Sequence, residues 1–414
     1  MMDKLIELTE HQVKVYPKAM ISEELGELLY RRYGAEVDVE FPTPKTDHCW
    51  RLKPKNWVGL LPLNEDVTLS LKPKIPLRNL FALWEYAYRL KSFHIPEGIT
   101  SSGSIPEFYN QLAKILAQKV NLRGKKGFYR SYIQRHRKLP YITGKMNLTH
   151  MMEKPWEVDR ECEYEEITSD NIHNQILLVT LYGILRSGHL NEENIQKVKL
   201  AYKTLESSVS LNDITPRDCV VQVYNSLNQD YQLLHGLCRF FLETRGPNYE
   251  SGTYTTIPFL VNMANLFELF VAEWLQVHLP SRYTLQAQVS FTIGEENPMA
   301  FHIDLVIYDG MTGDVKAVLD TKYKSATSMQ QSDFNQILSY AVSKGTGKGI
   351  LIYPQKLSRE IKYQVQNYEI RGIGFDIQGD IEEGGREFLK TLLRFMEKED
   401  VEVEILKDGI HTMK

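Results

Sequence analysis

The sequence predicts an α+β protein with several domains, and three observations lead to this prediction. The chain has 414 residues, a length that usually folds into two or three domains with separate cores. Apolar and polar residues alternate along residues 1–76, which is typical of short strands. Helical periodicity dominates residues 77–250, and residues 251–414 combine helical and strand patterns. We expect a mostly β amino-terminal module, a helical connecting region and a carboxy-terminal α/β domain.

Proline and glycine divide the amino-terminal module into short strands and turns. Its most polar segment, residues 50–59, is predicted to form a hairpin. The polar side chains of that segment include Arg51, Lys53, Lys55 and Asn56. An ordinary surface hairpin, on which the lysine stems cover apolar groups, explains these residues equally well.

Helices are predicted through the connecting region by stripes of apolar residues at helical spacing. They cover residues 77–91, 105–122, a block that begins at residue 170, 191–205 and 227–244. Glycine and proline between residues 246 and 253 interrupt this pattern. We therefore place the start of the last domain near residue 250.

One stretch of the connecting region, residues 123–150, is strongly basic, contains no Asp or Glu and has aromatic residues between its charges. Candidates for contact with DNA phosphates are Lys125, Lys126, Arg130, Arg135, Arg137 and Lys138. The alternative is a solvated loop or a strand pair whose charges meet the acidic run at residues 157–166. The sequence leaves both interpretations open.

The carboxy-terminal domain carries two carboxylates and a lysine on neighbouring predicted strands. Asp304 lies in the first strand, and Asp320 and Lys322 lie two positions apart in the second. Because side chains alternate along a strand, Asp320 and Lys322 are expected on one face, with Thr321 pointing away. The site therefore combines two acids and one base at strand ends.

Such a site is suited to a hard divalent cation. Both strands are apolar around their charges, so burial would raise the pKa of the carboxyl groups unless a cation neutralised them. Oxygen ligands suit Mg²⁺ or Mn²⁺, and a nearby lysine can orient or help to deprotonate a water that attacks phosphorus. A solvated Asp-x-Lys pair beside a turn is the alternative for an isolated motif of this length.

The order Asp304, Asp320, Lys322 resembles the motif of the PD-(D/E)xK nucleases, although the proline is absent. The resemblance implies an α-β-β-β-α-β run around a mixed central sheet. It also implies that Asp304 and Asp320 hold the metal, with the carbonyl of Thr321 as a further ligand. Lys322 would then orient the attacking water and stabilise the pentavalent phosphate.

Two helices on either side of these strands extend the resemblance. A helix glutamate commonly completes the metal site of such nucleases, and Glu268 is the candidate, with Glu273 as the competitor. Residues 332–340 predict a capped helix that matches the Gln-x3-Tyr helix of the family. Gln336 and Tyr340 lie on one face of that helix, where they would steady the site or contact a backbone phosphate.

The likeness covers most of the chain. Residues 70–75, 80–87, 171–177, 320–324, 332–341 and 351–354 are similar to the McrC family, the nuclease subunits of McrBC-type modification-dependent restriction systems. The resemblance implies a metal-dependent endonuclease that cleaves double-stranded DNA carrying modified bases when a McrB-like hexameric AAA+ GTPase activates it. It also implies that the 50–59 segment stimulates hydrolysis by that partner. The chain lacks a Gly-x4-Gly-Lys-Ser/Thr loop, so the partner is expected to bind the GTP.

Two other functions fit parts of the pattern. A stand-alone RecB-like defence or repair nuclease would use the same acids and lysine without a GTPase. A non-catalytic activator would bind DNA with its carboxy-terminal domain and drive an AAA+ motor with its amino-terminal module. Cleavage by the purified chain alone would indicate the stand-alone nuclease. Cleavage that persists after loss of Asp320 would indicate the non-catalytic activator.

Cysteine spacing, the lengths of apolar stretches and net charge further restrict the classes of protein to which this chain can belong. The four cysteines have no paired spacing, so we expect reduced, mostly buried thiols and no zinc cluster. No apolar stretch is long enough to cross a bilayer, and the first residues lack signal-peptide features, so a cytoplasmic protein without membrane contact is expected. The formal net charge of -4 means that a surface for DNA would have to be local.

Overall fold

The structure is a computed structural model that describes residues 4–64, 67–89, 104–146, 152, 156, 158–244, 258–293, 299–325 and 327–409, without the side chains of residues 293, 299 and 398–409. The chain has a mixed α/β fold and divides into two compact units, residues 1–103 with 260–414 and residues 104–259. Residues 77–89, which the sequence assigned to the helical connecting region, group with the first unit. The predicted boundaries near residues 76 and 250 stay predictions, and the second lies outside the described residues.

The amino-terminal part of the first unit is mostly β, with one helix that the strand pattern did not predict. Its elements are β1 (Lys4–Thr9), β2 (Lys14–Pro17), α1 (Glu23–Tyr33), β3 (Val37–Glu40), a 3-10 helix (Pro44–Thr46), β4 (Cys49–Pro54), β5 (Trp57–Pro62), β6 (Val67–Lys72) and α2 (Leu77–Ala87). One sheet has the order β1-β6-β5-β10, where β10 (Phe259–Asn262) comes much later in the chain. A second sheet has the order β2-β4-β3. We call β1–β6 with α1 the amino-terminal module.

The predicted hairpin at residues 50–59 is wrong. β4 pairs with β2 and β3, whereas β5 pairs with β6 in the other sheet. The reason is the burial of Trp50, whose indole N–H donates to the carbonyl of Ile21 at 2.9 Å and whose ring lies so close to Gly26 that a Cβ there would be 2.0 Å away. β4 is thereby held against α1, and the chain passes from one sheet to the other at Lys55 and Asn56.

The second unit combines four helices and a small sheet within its described residues. They are α3 (Ile105–Lys126), β7 (Ser131–Leu139), β8 (Lys145–Met146), β9 (Arg160–Thr168), α4 (Ile172–Arg186), α5 (Glu192–Glu206), a 3-10 helix (Pro216–Cys219) and α6 (Tyr231–Glu243). The strand order is β7-β9-β8, and all the pairs are antiparallel. Side chains of Ser104, Asn171 and Asn191 accept backbone N–H bonds in the first turns of α3, α4 and α5, which fixes where these helices begin.

The carboxy-terminal part of the first unit is built on a six-stranded mixed sheet. Its elements are α7 (Met263–His278), β11 (Tyr283–Ile293), β12 (Met299–Asp309), β13 (Val315–Thr321), α8 (Gln331–Lys344), β14 (Lys348–Tyr353), β15 (Ile361–Val365), β16 (Tyr368–Gly374) and α9 (Ile381–Gly409). The strand order is β11-β12-β13-β14-β16-β15. Neighbours on the β11 side are antiparallel, and β13, β14 and β16 are parallel to one another. The sequence from α7 to β14 thus runs α-β-β-β-α-β.

Strands β12, β13 and β14 and helix α8 pack around one apolar core. Buried side chains of β12, β13, α8 and β14 pack together, among them Val306, Val318, Ile337 and Leu351. The predicted capping of α8 near Ser332 is wrong, because the helix begins at Gln331 after Gln330, whose side chain makes no cap hydrogen bond. This packing, and not a cap, holds α8 beside the ends of β12 and β13.

Two expectations from composition can be compared with the described residues. All four cysteines are free, with Cys49 partly buried and the other three buried, as predicted. No helix in the described ranges is both long and apolar enough to span a bilayer.

Candidate active site

The site begins where β12 and β13 run side by side. Their antiparallel register pairs Leu305 with Leu319, so Asp304 and Asp320 each lie one residue beyond that pair. β13 also pairs in parallel with β14, where Asp320 is opposite Leu351. Asp320 is only 2% exposed, whereas Asp304 is partly exposed. The two carboxylates therefore come together at the end of a buried strand pair.

Asp304 is fixed by the residue that follows Asp320. Its Oδ2 accepts hydrogen bonds from the backbone N–H of Thr321 at 2.7 Å and from the Thr321 hydroxyl at 2.9 Å. The prediction that Thr321 points away from the acidic residues is wrong with respect to Asp304. Thr321 is the last residue of β13, where the regular alternation of the strand ends.

Lys322 connects Asp320 to helix α8. Its Nζ lies 2.6 Å from Oδ2 of Asp320 and donates to Oε1 of Gln336 at 2.9 Å. Gln336 in turn donates from Nε2 to the hydroxyl of Tyr340 at 2.9 Å. The structure thus brings Asp320, Lys322, Gln336 and Tyr340 into one chain of contacts, at the spacing that the sequence pattern indicated.

This centre contains more acidic groups than basic groups. Burial and the negative charge of Asp304 raise the pKa of Asp320 to about 6, although Lys322 lowers it. Burial, Asp304 and Asp320 together raise the pKa of Glu268 to about 7. Burial alone would lower the pKa of Lys322, but the surrounding carboxylates raise it, so Lys322 carries its proton at neutral pH. Three acidic groups share one nearby ammonium group.

The two glutamates proposed for the helix position differ in their partners. Glu273 forms an ion pair with Arg89, with Nε to Oε2 at 2.7 Å and Nη2 to Oε1 at 3.1 Å. Glu268 instead interacts electrostatically with Asp304, Asp320 and Lys322. Because α7 begins at Met263 with Asn262 as its cap, Glu268 lies in the second turn of the helix. Glu268 is thus the helix acid that faces the centre.

Gln288 is a site residue that sequence reasoning missed. Its φ of 52° is in the left-handed region, and the register of β11 against β12 omits it between the pairs Ala287–Leu305 and Val289–Ile303. The register is the same on both sides of Gln288, which lies opposite Asp304, and the Gln288 side chain hydrogen-bonds to Glu268. A non-glycine residue in this conformation costs about 1 kcal/mol or more, which marks a position held for a reason. No periodicity in the sequence signals a left-handed backbone conformation at a glutamine.

A second acid–base pair lies beside the first and was also missed. Asp333, only 7% exposed in the first turn of α8, has its Oδ2 2.6 Å from Nζ of Lys324. Lys324 also donates to Oε1 of Gln330 at 2.7 Å. The charge of Asp333 contributes to the raised pKa of Asp320. The repeated spacing of Asp320, Lys322 and Lys324 was the signal that could have revealed this pair.

A divalent cation fits the carboxylates of this site. Among the described residues, no three Asp, Glu, His or Cys side chains are arranged to hold an ion between them. Mg²⁺, however, is commonly bound by one or two carboxylates together with waters and substrate oxygens, and Asp304 and Asp320 meet that requirement. The buried Oδ2 of Asp320 has the ammonium group of Lys322 as its partner. Metal ligation by Glu268 and by the Thr321 carbonyl stays a prediction.

The four polar residues of the 50–59 segment do not gather at one tip. Arg51 has Nη2 3.7 Å from Oδ2 of Asp47, and the Lys55 Nζ donates to the carbonyl of Gly34 at 2.8 Å. The backbone carbonyl of Asn56 accepts from the N–H of Met263 at 2.7 Å. Lys53 is the exposed member of the four. Their action on a partner stays a prediction.

Part of the basic segment, β7, is a strand that pairs with the acidic strand β9. β7 is antiparallel to β9, and Nε of Arg135 is 3.2 Å from Oε2 of Glu166. Arg130 donates to the carbonyl of Ile167 at 3.0 Å. Strand pairing of the charges is therefore present, as one of the two interpretations had it. The other four candidates are exposed, Lys125 and Lys126 in the last turn of α3 and Arg137 and Lys138 in β7, while residues 147–150 and 157 lie outside the described residues.

The start of β7 is anchored by side chains of α4 and α6. Asn171 and Asn174 both donate to the carbonyl of Tyr129, at 3.0 and 2.8 Å. The hydroxyl of Tyr231 accepts from the N–H of Tyr129 at 3.0 Å. This network accounts for Asn171 and Asn174 of the 171–177 block, which here hold the chain just before the strand.

Fold and site together define a mixed α/β protein with a partly buried acid–lysine centre on two inner strands of its carboxy-terminal sheet. The family model for the McrBC 5-methylcytosine restriction system component matches residues 52–354. The chain belongs to this family, and the resemblance seen in the sequence is confirmed. No curated protein matches the sequence.

Solved structures of related assemblies are similar in fold. A chain of a half-complex of Thermococcus gammatolerans McrB AAA+ hexamers with bound McrC is 18% identical, with a TM-score of 0.53, and the match covers 95% of this chain and 100% of that one. A chain of the McrBC complex of the same organism is also 18% identical, with a TM-score of 0.41 and coverage of 66% and 87%. The first of these shows that the fold is shared.

Proposed function

We propose that this chain is the metal-dependent endonuclease subunit of a McrBC-like restriction complex in the cytoplasm. It cleaves double-stranded DNA carrying modified bases when a translocating, hexameric AAA+ GTPase activates it, and it stimulates hydrolysis by that partner. The observation that carries this proposal is the convergence of Asp304, Asp320 and Lys322 at one strand edge, beside Glu268, in a chain of the McrBC family.

The carboxy-terminal layout supports assignment to the PD-(D/E)xK nucleases. The order from α7 to β14 is α-β-β-β-α-β, and the sheet is mixed. The acids lie on the second and third strands of this run, and Gln336 and Tyr340 lie on its second helix. This order of elements and residues supports the assignment, although the proline before Asp304 is absent.

Asp304 and Asp320 would hold Mg²⁺ or Mn²⁺, with Glu268 and the Thr321 carbonyl as further ligands. When bound, the ion neutralises charge on the phosphate and lowers the pKa of a coordinated water. Thr321 keeps the Asp304 carboxylate in place through two hydrogen bonds. Because its pKa is raised, Lys322 acts as a proton-bearing donor that orients the water and contacts the phosphate, and not as a general base.

Gln336 and Tyr340 hold Lys322 in position. Gln336 accepts from the lysine and donates to the tyrosine, so the amide is fixed in one orientation. Gln336 is exposed and Tyr340 is buried. Gln336 is thus the member of this pair that is open to a DNA phosphate, and Tyr340 supports it from the core.

The partner is inferred from the family and from the shared fold. The similar chain with 95% coverage comes from an assembly of McrB AAA+ hexamers with bound McrC. In the amino-terminal module, Lys53 is the exposed basic residue of the predicted stimulating group, and Arg51, Lys55 and Asn56 are held by other residues of this unit. We therefore expect Lys53 to be the most accessible of the four to the partner.

Cleavage of methylated plasmid DNA tests the proposal. The chain is assayed with and without its AAA+ GTPase partner, GTP and Mg²⁺, and cleavage is expected only when all are present. Asp320→Asn should abolish cleavage but keep stimulation of GTP hydrolysis, whereas Asp314→Asn, in the exposed turn after β12, should change neither. Cleavage by the chain alone would favour a stand-alone nuclease, and full cleavage by Asp320→Asn would favour a non-catalytic activator.

A further inference from the structure

Glu10 is a buried carboxylate just after β1, far in sequence from the acid–lysine centre. It is 1% exposed, and its Oε2 accepts from the hydroxyl of Tyr323 at 3.2 Å and from the N–H of Lys74 at 3.4 Å. Its Oε1 accepts no hydrogen bond, and Nε2 of His11, whose pKa is lowered by burial, lies 3.5 Å from it. Nζ of Lys74 lies 4.2 Å from the centre of the Tyr323 ring. Glu10 of the amino-terminal module and Lys74, two residues after β6, thus both contact Tyr323.

Tyr323 touches both elements that carry the site. It follows Lys322 directly in the chain and is 5% exposed. Its ring packs against Phe267 at a centroid distance of 6.0 Å, and Phe267 precedes Glu268 in α7. A shift of this one ring would therefore move the backbone next to Lys322 and press on the helix that carries Glu268.

The helix that carries Glu268 is also attached to the amino-terminal module. β10 is the fourth strand of the β1-β6-β5-β10 sheet and leads directly into α7. The N–H of Met263, the first residue of α7, donates to the Asn56 carbonyl at 2.7 Å. The module therefore holds the Lys322 segment through Tyr323 and the start of α7 through Asn56.

The chemistry of the Glu10 contact suits a connection that can be broken. An apolar pair would fill this space without burying a carboxylate, because a buried charged group with an unbonded oxygen is costly. Burial raises the pKa of Glu10 to about 6, against the attraction of Lys74. Directional hydrogen bonds fix one geometry, and a small movement of the module breaks them.

We propose that Glu10 and Tyr323 are positioning residues through which the amino-terminal module sets the geometry of Lys322, so that engagement of the module by the GTPase partner controls DNA cleavage. This inference rests on the proposed function. It identifies the residues that connect the surface expected to bind the partner with the site that cleaves DNA. Neither residue touches the scissile phosphate.

Tyr323→Phe tests the route, because it removes the hydroxyl that bonds Glu10 and keeps the ring on Phe267. Its matched control is Tyr86→Phe, which removes a hydroxyl that donates to Oε1 of Glu382 at 2.6 Å, between α2 and α9 of the same unit. With the partner and GTP present, kcat for cleavage should fall about tenfold in Tyr323→Phe, with KM for DNA unchanged. Stimulation of GTP hydrolysis and the Kd for Mn²⁺ by calorimetry should stay within about twofold of wild type.

Glu10→Gln provides a second variant of nearly unchanged volume. It should also lower kcat and spare GTP hydrolysis, and Tyr86→Phe should leave kcat intact. The proposal is overturned if Tyr323→Phe and Glu10→Gln cleave at the wild-type rate, or if cleavage and GTPase stimulation fall together with the melting temperature. Failure of the proposed function is a separate result, since wild-type protein would then not cleave DNA with its partner at all.

Discussion

The acidic centre, which lies at the middle of β12 and the end of β13, and the basic strand β7 differ in how their charges are balanced. In the first, Asp304, Asp320 and Glu268 repel one another around a single lysine, and two of their pKa values are raised. In the second, Arg135 faces Glu166 on the neighbouring strand, and most of the other basic side chains reach solvent. Unbalanced, partly buried charge is typical of a site that binds a ligand, whereas paired surface charge is not.

The largest effect is expected from two neighbouring lysines with different partners. Lys322→Ala removes the group bound to Asp320 and Gln336 and should lower the cleavage rate about 100-fold or more. Lys324→Ala removes the partner of Asp333, one step from the centre, and should cost less than about tenfold. Single-turnover cleavage with partner, GTP and Mg²⁺ measures both. Equal losses would show that the two acid–base pairs act as one.

Measurements of DNA affinity test whether the basic residues of α3 and β7 bind DNA. Lys125→Ala with Lys126→Ala removes two exposed charges at the end of α3 and should weaken DNA binding about tenfold and lower the salt slope by about 2. Arg135→Ala, already paired with Glu166, should change the Kd less than about threefold. Fluorescence anisotropy at several salt concentrations measures the Kd and the salt slope of each variant. A larger effect from Arg135→Ala would place DNA on β7 itself.

Removing the charge of Glu268 should stabilise the metal-free protein in a pH-dependent way. The folded pKa of about 7 lies above the ordinary 4.5, so the folded chain binds a proton more tightly than the unfolded one. The charged carboxylate therefore costs stability above about pH 7 and costs nothing below about pH 4. Glu268→Gln should raise the free energy of unfolding by about 1–2 kcal/mol at pH 8, and the gain should shrink as the pH falls.

Denaturant unfolding in EDTA at several pH values measures this gain. Glu273→Gln is the matched control, because Glu273 is paired with Arg89 and should show no gain at pH 8. A Glu268→Gln gain that stays constant with pH would mean that the carboxylate is not strained by its neighbours. Added Mn²⁺ should reverse the order of stability, since only the wild type keeps the full set of acids.

The smallest effect separates two glutamines with nearly the same backbone conformation. Gln288 and Gln366 have φ values of 52° and 51°. Glycine relieves this strain, so Gln366→Gly, in the turn between β15 and β16, should gain up to about 1 kcal/mol of stability and leave cleavage unchanged. Gln288→Gly should lose cleavage activity, because Glu268 then lacks its hydrogen-bond partner. Equal activity in both variants would remove Gln288 from the site.

Sequence reasoning found those parts of the site that local periodicity encodes. Asp320 and Lys322 meet because they are two residues apart at a strand end, and Gln336 meets Tyr340 because they are one helical turn apart. The turn from Asp309 to Asp314 also follows from its residues, since Oδ1 of Asp309 accepts the N–H groups of Met311 and Thr312. The mixed α/β fold class followed from the same patterns.

What sequence reasoning missed depends on tertiary contacts. Glu10 and Tyr323 are hydrogen-bonded although they lie far apart in the sequence, so no local spacing rule could predict the contact. The left-handed conformation of Gln288 interrupts the pairing of two strands locally and leaves the alternation of residue types intact. The 50–59 segment looked like a hairpin because it has two β-prone stretches around a polar turn, but burial of Trp50 directs the strands into different sheets. Local pattern cannot decide between such pairings.

The position of β10 in the first sheet has a consequence for how the polypeptide folds. Strands β1, β5 and β6 leave the ribosome early, but their neighbour β10 follows only after the whole second unit has been synthesised. The sheet therefore stays open at the β5 edge during translation, and its completion requires closure of a very long loop. We expect the first hundred residues, expressed alone, to be prone to aggregation through that edge.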